Sequence, residues 1–198
     1  YEFAEKGDLI DYFVSKANSK EEVTIQQITN IFVNALSGLT YMHANGIVHR
    51  DVKLDNILII TDGVHKLADF GSVVFLNELN DDELCAECGA MLGTEDYIPP
   101  EMDRKANTYE ASQNKIRALQ EGRPNSREAV EKLLFQWDVF SAGETLSALL
   151  KCIPTDKQQS TEYRELQELA SKMMSSDLTA RPKDATEIDL QRLYTMAG

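Results

Sequence analysis

The chain has 198 residues, 42% of them apolar and 27% charged, and a formal net charge of −13. That length is one domain's worth, with enough apolar side chains to bury a core, which excludes wholesale disorder. The acidic balance argues against nucleic acid or anionic lipid as partners held by bulk electrostatics, and no run of eighteen apolar residues exists to span a bilayer.

In chain order, the clearest predicted helix runs from about Ile25 to Asn45. Ile28, Ile31, Phe32, Ala35, Leu39 and Met42 recur at helical spacing, so one face is apolar. Thr24 and Gln27 form a capping box at its start, and Gly46 sits where a C-terminal glycine belongs. A β-branched run, Ile57 to Ile60, then Asp62-Gly63 and the stretch from Val64 to Ala68 read as a hairpin. Residues 72 to 100 show no period and read as a long loop, a length that is usually functional inside a domain. The region from Asp103 to Leu134 is rich in charge, with a break at 122–126, and Ser126 to Gln136 reads as weakly helical. Val139, Ala142, Gly143, Leu146, Leu149 and Leu150 mark a buried helix, and Leu166, Leu169, Ala170, Met173 and Met174 another. Asp184 with Glu187 is predicted to cap a last helix carrying Ile188 and Leu193. The fold class is therefore mainly α with a small antiparallel β ribbon.

Three cysteines, Cys85, Cys88 and Cys152, are too few for a disulfide framework. Their odd count fits a reducing compartment, so an intracellular, cytoplasmic protein is expected. The first residue is Tyr1, and no secretory leader is visible, so a processed, excised or fragmentary chain is expected.

The chemistry concentrates in His49-Arg50-Asp51-Val52-Lys53-Leu54-Asp55-Asn56, followed at a hairpin's distance by Asp69-Phe70-Gly71. Seven fixed residues in this order arise by chance roughly once per billion start positions. The pattern is that of the H-R-D-x-x-x-x-N loop and D-F-G of protein kinases, and the chain resembles the C-terminal lobe of a eukaryotic-type protein kinase from the hinge onward. The resemblance covers nearly all of 1–198 and is weakest at about 102–136 and 152–162. It implies that Asp51 accepts the substrate hydroxyl proton, that Lys53 reaches the transferring phosphate, and that Asn56 and Asp69 offer oxygen ligands to Mg²⁺. It implies that His49 packs against Phe70 in a hydrophobic spine, beside Gly71, and that Arg50 pairs with a phosphate on the activation loop. Glu2 and Ala4 would offer backbone groups to the adenine of ATP, Asp8 would meet the ribose, and Leu58 would floor the base. A helix N-terminus with an acidic first turn is the plainer reading of the segment around Asp8. Residues 93–101, Thr94 among them, resemble the end of an activation segment spanning 72–101. Glu101 would pair with Arg181, and Asp138 would hold the catalytic-loop backbone. Lys53 and Thr94 together resemble serine/threonine-directed members, so ATP and a protein carrying Ser or Thr hydroxyls are the expected partners.

Several features depart from the pattern. Val73 to Gly93 contains no Ser, Thr or Tyr, and Asp81, Asp82, Glu83 and Glu87 lie there instead. One of these carboxylates is expected to replace the phosphate in part, with a solvated acidic loop as the alternative. Cys85 and Cys88 form a lone C-x-x-C, for which zinc is not expected; inert free thiols are the expectation, with a redox switch as the alternative. Between Glu101 and Asp138 lie 36 residues, so about 102–136 is expected to be an insertion, able to dock a partner or to hang as a loop. The stretch from Asp138 to Arg181 is short, which trims the region that receives protein substrates. No Gly-rich loop, strand lysine or partnering glutamate helix precedes Tyr1, so the N-terminal lobe is expected to be absent and the chain alone inactive. Two functions stay open. One is a serine/threonine protein kinase fragment whose parent uses ATP and Mg²⁺; the other is a truncated kinase-like module that binds or scaffolds. A small-molecule kinase is a third, weaker reading.

Overall fold

The computed structural model describes residues 7–90, 94–102 and 109–198. Helix α1 (Leu9–Ser19) starts at Asp8, whose carboxylate accepts the Ile10 and Asp11 N–H groups at 2.9 and 3.0 Å. The helix predicted over 25–45 is α2 (Ile25–Ala44), and its capping box is formed: Gln27 N–H donates to Thr24 Oγ1 at 3.2 Å and Thr24 N–H to Gln27 Oε1 at 3.0 Å. Its six predicted apolar positions are all buried. Gly46 has φ +70°, and a Cβ there would stand 2.9 Å from the Asn77 side chain, so glycine is required twice over.

Four short strands follow around the next loops: β1 (Ile47–Val48), β2 (Ile57–Thr61), β3 (Val64–Leu67) and β4 (Val74–Phe75). They form two antiparallel ribbons rather than the single one expected. In one, Ile57 lies opposite Leu67 and Leu58 opposite Lys66. In the other, Ile47 pairs with Phe75 and Val48 with Val74. Two-residue strands are too short for alternation to show in sequence.

The region 72–100 is not one long loop. Beyond β4 it contains α3 (Asp81–Gly89), started by a second capping box: Glu83 N–H donates to Asn80 Oδ1 at 3.0 Å and Asn80 N–H to Glu83 Oε2 at 2.9 Å. Its acidic first turn favours the positive end of the helix dipole. Among its described residues, one leucine and two cysteines are buried, too sparse a pattern to announce a helix. Next come α4 (Tyr109–Gln120) and α5 (Ser126–Leu150), separated where Gly122 and Asn125 take φ of +66° and +59°. The weakly helical stretch and the buried helix expected after it are one continuous α5. Ser160 caps α6 (Thr161–Met173). Asp184 caps only a short 3-10 turn, and the last helix, α7 (Leu190–Ala197), starts instead at Asp189, which accepts the Arg192 N–H at 2.9 Å. Among the described residues, no helix is long and apolar enough to cross a membrane.

Two cores form. The larger surrounds α2 and takes in β2, β3, the second half of α5, α6 and α7. The smaller joins Val48, Val74, Leu84, Cys88, Ile116 and Trp137, drawing on β1, β4, α3, α4 and the first half of α5. Val48 belongs to the smaller core and Val52 to the larger, so residues 49–51 are the stretch that crosses from one to the other. Helix α5 serves both. It meets α6 closely at Gly143, where a Cβ would stand 2.8 Å from both Met173 Cβ and Met174 Cγ. Gly143→Ala should therefore force the two helices apart and lower unfolding stability by about 1–3 kcal/mol, despite alanine's better helix propensity. Chemical denaturation checks this, and a stabilised variant would contradict it.

Candidate active site

The crossing stretch is held from below by one carboxylate. Asp138, on α5, is fully buried and accepts the His49 N–H at 2.6 Å, the Arg50 N–H at 2.7 Å and His43 Nε2–H at 3.0 Å. His43 can donate from Nε2 because its Nδ1 accepts the Ala185 N–H at 3.0 Å, which fixes the tautomer. This strap bends the loop enough that Arg50 takes φ +66°, a left-handed conformation costly for a side chain with a Cβ. His49 is buried with both ring nitrogens engaged. Its Nδ1 accepts the Asp51 N–H at 3.3 Å, its Nε2–H donates to the Ala68 carbonyl at 3.0 Å, and its ring meets that of Phe70 edge-on at 5.7 Å. It has no lone pair left to act as a base.

Asp51 emerges above the strap in a polar cluster. Lys53 Nζ is 2.8 Å from Asp51 Oδ2 and donates to Thr94 Oγ1 at 2.8 Å. Thr94 Oγ1–H donates to Asp51 Oδ1 at 3.2 Å, and Asn56 Nδ2 donates to Asp51 Oδ2 at 2.9 Å and to its carbonyl at 2.8 Å. Burial pushes the Asp51 carboxyl up, but hydrogen bonds from Lys53, Asn56 and Thr94 outweigh it, and the group sits below the ordinary carboxylate range. The hydrogen bond to Asp51 holds Lys53 above its ordinary value against burial, with the charges of Asp55 and Asp69 adding to it. Both groups are charged at neutral pH.

Asp69 stands apart from this cluster. It takes φ +58°, is exposed, and accepts the Gly71 N–H at 3.2 Å. Both amide hydrogens of Asn56 are spent on Asp51, leaving its Oδ1 as the remaining side-chain oxygen. An amide oxygen and an exposed carboxylate are hard donors of the kind Mg²⁺ takes alongside phosphate oxygens and water. Among the described residues, no cluster of three or more His, Cys, Asp or Glu side chains could hold a metal ion. Asp8 is the N-cap of α1, and its backbone bridges to Leu58, a half-buried residue of β2. Glu2 and Ala4 lie outside the described residues.

The Arg50 guanidinium turns away from Asp51. Its Nε donates to the Ser72 carbonyl at 2.6 Å and its Nη1 forms an ion pair with Glu87 of α3. Of the four carboxylates expected as candidates, Glu87 is therefore the one that meets Arg50; Asp81 pairs with Arg127 and Glu83 caps α3. Glu101 and Arg181 are both fully buried and form a two-pronged pair, Nη2 to Oε2 being 3.0 Å, while Arg181 also donates to the Ser175 and Gln136 carbonyls and lies over the Phe140 ring. Cys85 and Cys88 are buried, and their thiols point at the Ile116 and Val130 carbonyls. Burial pushes the Cys88 thiol up to about 12, the opposite of an activated cysteine.

His43 and Ser72 complete the site and are not among the residues expected from sequence, whereas Glu87 is one of the four carboxylates expected there. His43 follows Leu39 by four residues on the buried face of α2, a polar residue in an apolar stripe, and that was its one visible signal.

A family profile described as "Protein kinase domain" matches residues 1–116. The chain belongs to the eukaryotic-type protein kinase family. It is 38% identical over 89 residues to "Serine/threonine-protein kinase pakG" of Dictyostelium discoideum, covering 45% of this chain and 7% of that protein. It is 34% identical over 110 residues to "3-phosphoinositide-dependent protein kinase 1" of Arabidopsis thaliana, covering 51% and 21%. Against "MAP3K epsilon protein kinase 1" of Brassica napus it is 29% identical over 153 residues, covering 77% and 9%. The chain thus spans about a fifth or less of the length of these kinases. The kinase profile ends inside α4, whereas the carboxylate that straps the loop, Asp138, lies beyond it on α5.

Asp138→Asn leaves one acceptor for three donors, so unfolding stability should fall by roughly 2–4 kcal/mol, as seen by denaturant titration. The Asp51 carboxyl should titrate below an ordinary aspartate when followed by NMR. Its contribution to stability is then present above the unfolded-state value and is lost as pH falls through the lower folded-state value. Both Cys85 and Cys88 should resist a thiol reagent until the protein unfolds; rapid labelling of the native protein would revive the redox reading.

Proposed function

We propose that the chain is the C-terminal lobe of a serine/threonine protein kinase, with 72–101 as its activation segment and about 102–136 as an insertion. The complete protein then transfers the γ-phosphate of ATP to a serine or threonine hydroxyl. The observation that carries this reading is the convergence of Lys53, Asn56 and Thr94 on the Asp51 carboxylate. The names of the Dictyostelium and Arabidopsis relatives support a protein kinase, and the first names serine/threonine.

In this reading Asp51 holds the acceptor hydroxyl by a hydrogen bond and aims its oxygen at the phosphorus. A carboxylate kept below its ordinary value is a weak base. The proton therefore moves to Asp51 late, once the P–O bond is forming and the hydroxyl has become acidic. Lys53, fixed between Asp51 and Thr94, places a positive charge beside the phosphate in flight. Thr94 spans both residues and sets the distance between base and cation. Asn56 Oδ1 and Asp69 would hold Mg²⁺, and the chemistry it supplies when bound is neutralisation of charge on the phosphate oxygens. Asp8 and Leu58 would border ATP, with Glu2 and Ala4 on its adenine edge. The His49 ring meets that of Phe70, next to Asp69 and Gly71, and the Glu101–Arg181 pair anchors the end of the segment that supplies Thr94.

The test is phosphate transfer from γ-labelled ATP with Mg²⁺ to a generic protein substrate, by the complete protein that carries this chain. Phosphoserine and phosphothreonine should form, and Asp51→Asn should cut kcat by about a thousandfold or more without unfolding the protein. If the folded protein binds ATP but transfers nothing, the binding-module reading replaces this one.

A further inference from the structure

Arg50 poses an electrostatic problem that the chain solves with its own residues. Its side chain is only 6% exposed and permanently charged, and a buried guanidinium needs a counter-charge. Among the described residues the carboxylate that meets it is Glu87, near the end of α3. Glu87 can stand there only while α3 is folded and docked. Helix α3 is bedded on the segment expected to be an insertion, whose described part is helical and packed. Leu84 and Cys88 are buried in the smaller core with Ile116 of α4 and with Val130, Leu134 and Trp137 of α5. Arg127 of α5 holds the other end of α3, pairing with Asp81 at 2.6 Å and donating to the Leu76 and Leu79 carbonyls at 2.9 and 3.0 Å. Helix α5 therefore grips the 49–51 loop twice: directly at the backbone through Asp138, and through α3 and Glu87 at the Arg50 side chain.

We infer that α3, seated on α4 and the first half of α5, is a standing clamp on the Asp51 loop, with Glu87 as a positioning residue that supplies the anion from within the chain. The claim rests on the reading of 49–56 as the catalytic loop. No hydroxyl side chain lies between Val73 and Gly93 to carry an added phosphate, so the negative charge in this stretch is encoded rather than attached. Glu87 touches no reacting atom. It acts by holding Arg50, whose backbone N–H is strapped to Asp138 one residue before Asp51.

The experiment compares the complete protein with Glu87→Gln, Glu87→Asp and, as a control on the same helix, Asp82→Asn. Hydrogen exchange of peptides covering 49–56 reads the clamp without requiring activity. Glu87→Gln should speed that exchange roughly tenfold, Glu87→Asp should restore most of the protection, and Asp82→Asn should match the parent. In the transfer assay, Glu87→Gln should lower kcat by roughly 10- to 100-fold with KM for ATP little changed, because binding groups stay and alignment is lost. Unchanged exchange over 49–56 in folded Glu87→Gln overturns the inference. If Glu87→Gln does not fold, Arg127→Gln loosens α3 from outside the site and should give the same rise in exchange; unchanged exchange there overturns it equally. A parent protein that transfers no phosphate defeats the kinase reading, while the exchange data still decide the clamp.

Discussion

One buried carboxylate organises the molecule. Asp138 is fully buried, so its carboxylate must be satisfied by donors within the fold, and those it finds are two consecutive backbone N–H groups and an imidazole N–H. Charge-assisted bonds of this kind are short and strong, and three of them on one side chain fix three elements at once. The loop cannot relax out of its left-handed turn without stranding a buried charge. The strain at Arg50 is thus held by electrostatics from α5 rather than by local sequence preference. Asp51 inherits its position from that turn, and the Lys53–Thr94–Asn56 cluster then adjusts around it.

The two cores divide the work. The larger, centred on α2, has the apolar faces expected of a helical domain. The smaller is thin and depends on cysteines, a tryptophan and the first half of α5. The loop that carries Asp51 lies across the join, tied to both cores, with α5 as the common member. This arrangement places a polar cluster over a rigid floor while leaving its upper side, where Phe70 is 59% exposed, open.

Much of this was legible in the sequence. The capping box at Thr24, the spacing along α2 and the Asp62-Gly63 turn are local signals, and local signals survive without tertiary context. The 49–56 octapeptide is equally local, so Asp51, Lys53 and Asn56 could be singled out before the fold was known. The failures have a common cause. Helix α3 carries too few apolar residues to show a period, and it forms because α4 and α5 cover it. Helix α5 looked like two pieces because its first half faces one core and its second half the other, so the apolar face changes partway along. The role of His43 depends on Asp138, a partner 95 residues away, and which of the four acidic candidates meets Arg50 depends on a fold that brings Glu87 to it across 37 residues. Pairings over such distances leave no mark on composition or spacing.

The strap has a consequence for the birth of the protein. Asp138 follows Arg50 by 88 residues in the chain. At translation rates of 5–20 residues per second, the loop exists for roughly 4 to 18 s before its anchor has been made. During that interval α2 can already fold, since its cap and much of its apolar face are local, but the stretch after it has nothing to bend around. The site is therefore a late product of synthesis. A ribosome that stalls ahead of α5 releases a chain with every residue of the 49–56 loop and no means of shaping it.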